Sequence, residues 1–211
     1  MSHEATWNAR YLSAGDDYLF GTEPNHFLAH RAHLLEQGTT ALSIADGEGR
    51  NSIWLAEQGL AVTAVEISPV AVSKAKKLAA GRKVAVDFVM ADIFSPDWPP
   101  ASMTHAFDWV IGIFIQFAGP QEREVQFAAM KRATRPGGHI LLQGYTPKQL
   151  EYRTGGPSAL ENLYTAELLQ QAFADWTIEE LTEYEHDVAE GLGHQGKSAL
   201  IGLIARKPVT A

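Results

Sequence analysis

Two periods of apolar residues alternate along most of this chain. Short apolar runs bounded by polar or glycine-rich turns are followed by longer segments with apolar side chains every three to four positions, the spacing of one helix face. Thr40 to Ala45, Leu60 to Glu66, Val84 to Met90, Phe107 to Ile113 and His139 to Gly144 read as buried strands. Between them, Arg50 to Gln58 reads as a helix closed by Gly59. A second helix is capped by Ser68, takes Pro69 in its first turn and runs to about Ala80, stopping at Gly81. A third spans Gln121 to Thr134 and is closed by the turn Pro136-Gly137-Gly138. Repeated strand–helix–strand units predict an α/β, doubly wound, mostly parallel sheet. The tail departs from this rhythm. After a helix from Thr165 to Phe173, the strand patterns Thr177 to Asp187 and Ser198 to Lys207 are joined only by the glycine-rich loop Glu190 to Gly196. No helix fits between them, so they predict an antiparallel C-terminal hairpin that completes seven strands. Before the first strand, Met1 to Pro24 is aromatic-rich and irregular, and Asn25 to Glu36 reads as a helix. The domain expectation is a single unit, with residues 1–36 as an N-terminal lid and helix and 37–211 as the core.

Composition narrows the function. The 211 residues suit one domain with a sizeable buried core, and the formal net charge of -8 disfavours a nucleic-acid partner, which needs a basic surface. Lys74, Lys76 and Lys77 cluster on one predicted helix and read as its solvated face. No apolar run is long enough to span a bilayer, so no membrane partner is expected. With no cysteine there is no disulfide and no thiolate metal site. The opening Met1-Ser2-His3-Glu4 lacks the basic start and apolar stretch of a signal peptide, which makes a cytoplasmic location the expectation. A small-molecule substrate is favoured.

The sharpest chemical signal is Leu42-Ser43-Ile44-Ala45-Asp46-Gly47-Glu48-Gly49-Arg50-Asn51, between the first strand and the first helix of the alternating series. Ligands of open parallel sheets bind beyond the carboxyl ends of the strands. Gly47 and Gly49 allow close backbone approach, and the helix N-terminus behind them offers unpaired amides. Glu66 ends the second strand, where a carboxylate accepts hydrogen bonds from both hydroxyls of a ribose. Asp92 follows the third strand, where it suits an adenine amino group.

This order resembles the class I S-adenosylmethionine-dependent methyltransferases over nearly the whole chain. Gly47-Glu48-Gly49 corresponds to their glycine loop, Glu66 to their ribose acid and Asp92 to their adenine-side acid. Phe107-Asp108-Trp109-Val110 is similar to their fourth strand, Arg135-Pro136-Gly137-Gly138 to the turn before their fifth, and the terminal hairpin to their antiparallel seventh strand. Within the family, Trp7-Asn8-Ala9-Arg10-Tyr11, Gly21-Thr22-Glu23-Pro24-Asn25 and Gly49-Arg50-Asn51 resemble the tellurite-resistance and thiopurine methyltransferase-like group. The resemblance implies a Rossmann-like methyltransferase fold, S-adenosylmethionine as cofactor, and a cofactor site drawn from Trp7, Tyr11, Asp46, Gly47, Gly49, Arg50, Asn51, Glu66, Ile67, Asp92, Ile93 and Phe114. The loop departs from the family at three places. Ser43 stands where Asp is common, Ala45 where Gly is common, and Asp46 where a small residue is usual.

Methyl transfer from a sulfonium is an in-line displacement that depends on positioning. A soft sulfur or selenium acceptor needs little deprotonation, whereas an alcohol needs a base. Acceptor-side candidates are His194 in the glycine-rich loop, and Tyr145 and Arg153 after the fifth strand, with a thiol or chalcogen oxyanion among the acceptors considered. Trp7, Tyr11, Tyr18 and Phe20 form a candidate aromatic lid. His26, His30 and His33 fall on one face of their predicted helix, but no carboxylate pattern completes a metal site there, and no metal is expected. Two other functions share these features: a nicotinamide-dependent oxidoreductase, which would want a glycine where Ser52 stands, and a non-catalytic S-adenosylmethionine-binding protein.

Overall fold

The computed structural model describes residues 2–191 and 193–209. Its strands are β1 (Thr40–Ile44), β2 (Ala61–Glu66), β3 (Asp87–Met90), β4 (Phe107–Ile113), β5 (Thr134–Tyr145), β6 (Thr177–Glu190) and β7 (His194–Arg206). They form one seven-stranded sheet in the order β3-β2-β1-β4-β5-β7-β6. The doubly wound, mostly parallel sheet with an antiparallel C-terminal end is therefore present. Contacts divide the chain into two compact units. One holds the residues through Ile93 with Glu190–Gly193, and the other holds Phe94–Ala189 with the segment from His194 onward. No helix among the described residues is long and apolar enough to cross a membrane.

In the first unit β1 and β2 pair in parallel from Thr40↔Ala61 to Ile44↔Val65, and β2 pairs with β3 from Thr63↔Asp87 to Glu66↔Met90. Ala41, Leu42 and Ile44 of β1 are all buried, as expected of a strand covered on both faces. Helix α3 (Arg50–Glu57) packs on β1 and β2, and α4 (Pro69–Arg82) on β2 and β3. Ser68 caps α4 by accepting the Ala71 amide, with Pro69 in the first turn. The helix does not stop at Gly81. It continues to Arg82, and Lys83 takes the left-handed cap conformation at φ 58°.

The N-terminal segment differs from its irregular reading. Residues His3–Ser13 form helix α1, capped by Ser2, which accepts the Ala5 amide. It packs on α4, and Tyr11 is its one buried residue. Such a narrow contact leaves little apolar periodicity to read. The predicted Asn25–Glu36 helix is shortened to α2 (His26–Ala29), followed by a 3-10 turn at Ala32–Leu34. Arg31 Nη1 donates to the Phe27 carbonyl at 2.8 Å and takes up that acceptor. The rings of His26 and His30 lie 3.7 Å apart, but His33 sits in the 3-10 turn, so the three share no continuous helix face.

In the second unit α5 (Pro120–Ala133) packs on β4 and β5. The predicted turn at Pro136-Gly137-Gly138 lies inside β5, which starts at Thr134. Thr134 pairs with Phe107 and His139 with Trp109, so the intervening residues form an irregularity in the ladder. Their polar groups are still used: the Gly137 amide donates to Lys207 O (3.1 Å), and Gly138 O accepts from Lys207 N (2.8 Å). Antiparallel pairing of β5 with β7 runs from His139↔Arg206 to Tyr145↔Leu200. Helix α6 (Gln149–Tyr152) packs on β7, and α7 (Ala166–Ala172) is capped by Thr165. Strands β6 and β7 extend further than their patterns suggest. The expected seven-residue loop shrinks to a turn between Glu190 and His194, and His194 opens β7.

Candidate functional site

The loop after β1 combines left-handed backbone with buried acids. Ala45, Gly47 and Gly49 have φ values of 47°, 64° and 91°. Only Ala45 has a Cβ to strain there. At Gly49 an added Cβ would fall 2.9 Å from both Ala75 Cβ and Ile53 Cδ1, so α4 packs directly on the loop backbone. Asp46 is buried. Its Oδ1 accepts the Ser43 hydroxyl and its Oδ2 the Ser52 hydroxyl, both at 2.6 Å. Burial pushes the Asp46 carboxyl up, while the Ser43 and Ser52 hydroxyls and the Arg50 charge pull it down. The acid absent at position 43 is thus supplied from position 46, directly bonded to the residue in its place.

Glu66, at the end of β2, is 5% exposed. Oε2 accepts the Gly47 amide and Oε1 the Ser68 amide, each at 2.9 Å. Its carboxyl is raised, first by burial and also by the Asp46 charge, against the lowering effect of the Ser68, Gly47 and Ile67 amides. Tyr11 lies over the same loop: a Cβ on Gly47 would be 2.7 Å from its hydroxyl oxygen. Burial, then the charges of Glu66 and Glu48, lift the Tyr11 hydroxyl well above its usual range, so its proton is firmly held. Trp7 stacks on Tyr11 with centroids 5.8 Å apart, and the Arg10 guanidinium lies 4.5 Å over the Trp7 ring.

Several residues in this region escaped the sequence reading. Glu48, between the glycines, accepts the Leu19 amide (2.7 Å) and pairs with Lys74 (2.9 Å). Lys74 also donates to the carbonyls of Tyr11 (3.2 Å) and Asp17 (2.7 Å). It therefore leaves the solvated helix face expected of it, while Lys76 and Lys77 are exposed. Arg50 and Asn51, expected to touch the cofactor, each have a buried protein partner. Arg50 Nη1 lies 2.7 Å from Glu190 Oε2, and Asn51 Oδ1 accepts the Asn25 amide at 2.9 Å. Ile93 is buried, Ile67 is half-buried, and Asp92 is exposed just beyond β3. Glu48 carried a signal, as an acid between two loop glycines, whereas nothing near Glu190 in the chain points to Arg50.

In the second unit Phe114 follows β4 at φ 55°, and its ring stacks on Tyr145 at 4.7 Å and 23°. Tyr145 is buried with Leu163, Val188 and Leu200. The Gln116 amide holds it from both sides, Nε2 donating to Tyr145 O (2.9 Å) and Oε1 accepting Tyr145 N–H (2.6 Å). Arg153 is exposed and ends α6 in the left-handed region. Nearby, Lys148 and Lys197 both pair with Glu185, whose carboxyl they hold down at about 2. The side chain of His194 falls outside the described residues.

Residues 41–138 match the family model described as a methyltransferase domain. A curated relative, hemagglutinin 1 of Eikenella corrodens, is 29% identical over 176 residues, which are 79% of this chain and 54% of that protein. The chain thus spans about half the length of the curated relative it matches. Among solved structures, one described as converting a disulfide bond into a thioacetal group during echinomycin biosynthesis superposes with a TM-score of 0.81 at 20% identity, over 100% of this chain and 93% of that one. TehB of Haemophilus influenzae gives 0.68 at 18% identity, over 87% and 62%. A SAM-dependent methyltransferase of Methanosarcina mazei gives 0.69 at 18% identity, over 89% and 100%.

Proposed function

We propose that this chain, whose residues 41–138 match a methyltransferase-domain model, binds S-adenosylmethionine and transfers its methyl group to a small sulfur- or chalcogen-bearing acceptor. The observation that carries the reading is the buried Glu66 carboxylate, bonded to the Gly47 and Ser68 amides beside a loop that lacks side chains at Gly47 and Gly49. Each carboxylate oxygen accepts more than one hydrogen bond. Glu66 therefore keeps accepting capacity for a ribose hydroxyl beside the amides it already takes. Asp92 and the buried Ile93 suit the adenine end, one as acceptor for its amino group and the other as apolar wall. Asp46 adds negative charge on the side suited to the ammonium of the methionine part.

The cofactor supplies an electrophilic methyl on positively charged sulfur, and this chain's residues contribute orientation and exclusion of water. Trp7, Tyr11 and Phe20 form an aromatic lid segment whose ring faces favour a cation. Tyr11 keeps its hydroxyl proton beside the buried acids, and Lys74 offsets Glu48 beneath it. On the acceptor side, the half-buried Phe114 ring, backed by the buried Tyr145 ring stacked on it, offers an apolar, polarisable wall that suits sulfur. The solved structure concerned with disulfide-to-thioacetal conversion supports a sulfur acceptor. Arg153 is the cation proposed to orient an anionic acceptor, and His194 is the remaining acceptor-side candidate. Calorimetric titration with S-adenosylhomocysteine, followed by a radiolabelled methyl-transfer screen over thiols, selenite, tellurite, phenols and amines, tests the proposal. Saturable binding and turnover of a thiol or chalcogen are expected, and absence of binding refutes it.

A further inference from the structure

Glu190 ends β6, far from the glycine loop in sequence, yet its side chain is only 11% exposed and meets three separate groups. Oε2 lies 2.7 Å from Arg50 Nη1, while Oε1 accepts Asn25 Nδ2 at 3.0 Å and the His26 amide at 3.2 Å. Asn25 is itself fully buried, donates its amide to Asn51 Oδ1 and accepts the Leu28 amide. The turn that follows Glu190 is closed on the same segment. The Gly193 amide donates to Leu19 O at 3.0 Å, and a Cβ on Gly191 would fall 2.3 Å from the Gly21 amide nitrogen. The Leu19–Asn25 stretch is thereby held at both ends. Glu48 takes the Leu19 amide on one side of Gly49, and on the other Asn51 takes the Asn25 amide directly while Arg50 reaches Asn25 through Glu190.

We infer that Glu190 is a positioning residue for cofactor binding, joining Arg50 to the Asn25–His26 turn so that the N-terminal segment stays ordered against the glycine loop. The inference rests on the reading that this loop receives S-adenosylmethionine. Loss of the carboxylate removes the direct ion-pair partner of the buried Arg50 guanidinium and leaves the Asn25 side-chain amide without its acceptor. The Leu19–Asn25 stretch then samples open states, and any ligand must first re-order it.

Two measurements on Glu190→Ala and Glu190→Gln test this: hydrogen exchange of residues 18–26 without ligand, and calorimetric affinity for S-adenosylhomocysteine. Glu190→Ala should exchange faster at these amides and bind about tenfold more weakly, a difference well within calorimetric reach. Glu190→Gln keeps an acceptor for Asn25 and His26 but no charge for Arg50, and should fall between. Unchanged exchange overturns the inference, as does faster exchange with unchanged affinity, which would make Glu190 a structural clasp only. If Glu190→Ala fails to fold, Glu190→Gln carries the same two readouts. Absence of binding by the unaltered chain would instead overturn the cofactor reading, and this role with it.

Discussion

Replacing Asp46 tests whether the acid displaced from position 43 holds the loop together. In Asp46→Ala two buried hydroxyls, Ser43 Oγ and Ser52 Oγ, lose an acceptor at 2.6 Å. Hydrogen bonds to a charged group contribute about 1.5–3 kcal/mol each. Two terms reduce the sum. Ser52 retains Gly49 O at 3.2 Å as an alternative acceptor, and the burial that raises the Asp46 carboxyl is no longer imposed on a charge. The net loss should be about 2–4 kcal/mol, or about 5–15 °C in melting temperature for a chain of this length. Asp46→Asn is the control. Its amide oxygen still accepts one hydroxyl and its NH2 donates to the other, so the loss should stay below about 1 kcal/mol. Thermal and denaturant unfolding of both variants, with Ser43→Ala and the double variant to isolate the pairwise coupling, provide the readout. Asp46→Ala unfolding at the unaltered temperature would refute the reasoning, as would Asp46→Asn falling as far as Asp46→Ala.

Ala45→Gly should be neutral or stabilise by about 0.5 kcal/mol in denaturant unfolding, because relief of the left-handed strain at φ 47° outweighs the usual entropic penalty of glycine; a loss of 1 kcal/mol would contradict that strain. The raised Glu66 carboxyl means that the folded chain holds this proton at pH values where the unfolded chain has released it. The group's contribution to stability therefore rises as pH falls through that window, above the ordinary 4.5, while S-adenosylhomocysteine affinity falls. Calorimetry across pH should show this affinity loss in the unaltered chain and a flat, weak response in Glu66→Gln. Deleting residues 1–20 removes Tyr11 from over Gly47 and leaves Glu48 without the Leu19 amide, so circular dichroism should report a folded core while methyl transfer is lost. Full activity of the truncated chain would refute the lid.

The strands and helices of the alternating region were legible because each strand carries its own apolar run and each helix its own cap, as at Ser68-Pro69. Glu66 and Asp92 were legible as strand-end acids for the same reason: position along a strand is a local property. The glycine loop was legible as a loop, but the Ser43 and Ser52 hydroxyls that Asp46 accepts were not, since they become its neighbours only when the chain folds. Pro136-Gly137-Gly138 carries every local mark of a turn, yet Lys207 satisfies its backbone groups and keeps it within β5. The α1 helix and the short α2 were misjudged because one buried residue, or one arginine bonded to a carbonyl, leaves no periodic trace. Sequence by itself thus determined the order of the strands, the acids at the strand ends and the glycine at position 47 over which Tyr11 lies. Tertiary structure alone decided that Arg50 pairs with Glu190, that Asn51 accepts the Asn25 amide, and that Asn25 meets Glu190, 165 residues away. Periodicity and capping act over a few neighbours, whereas a buried charge takes whichever partner the fold brings within hydrogen-bond reach.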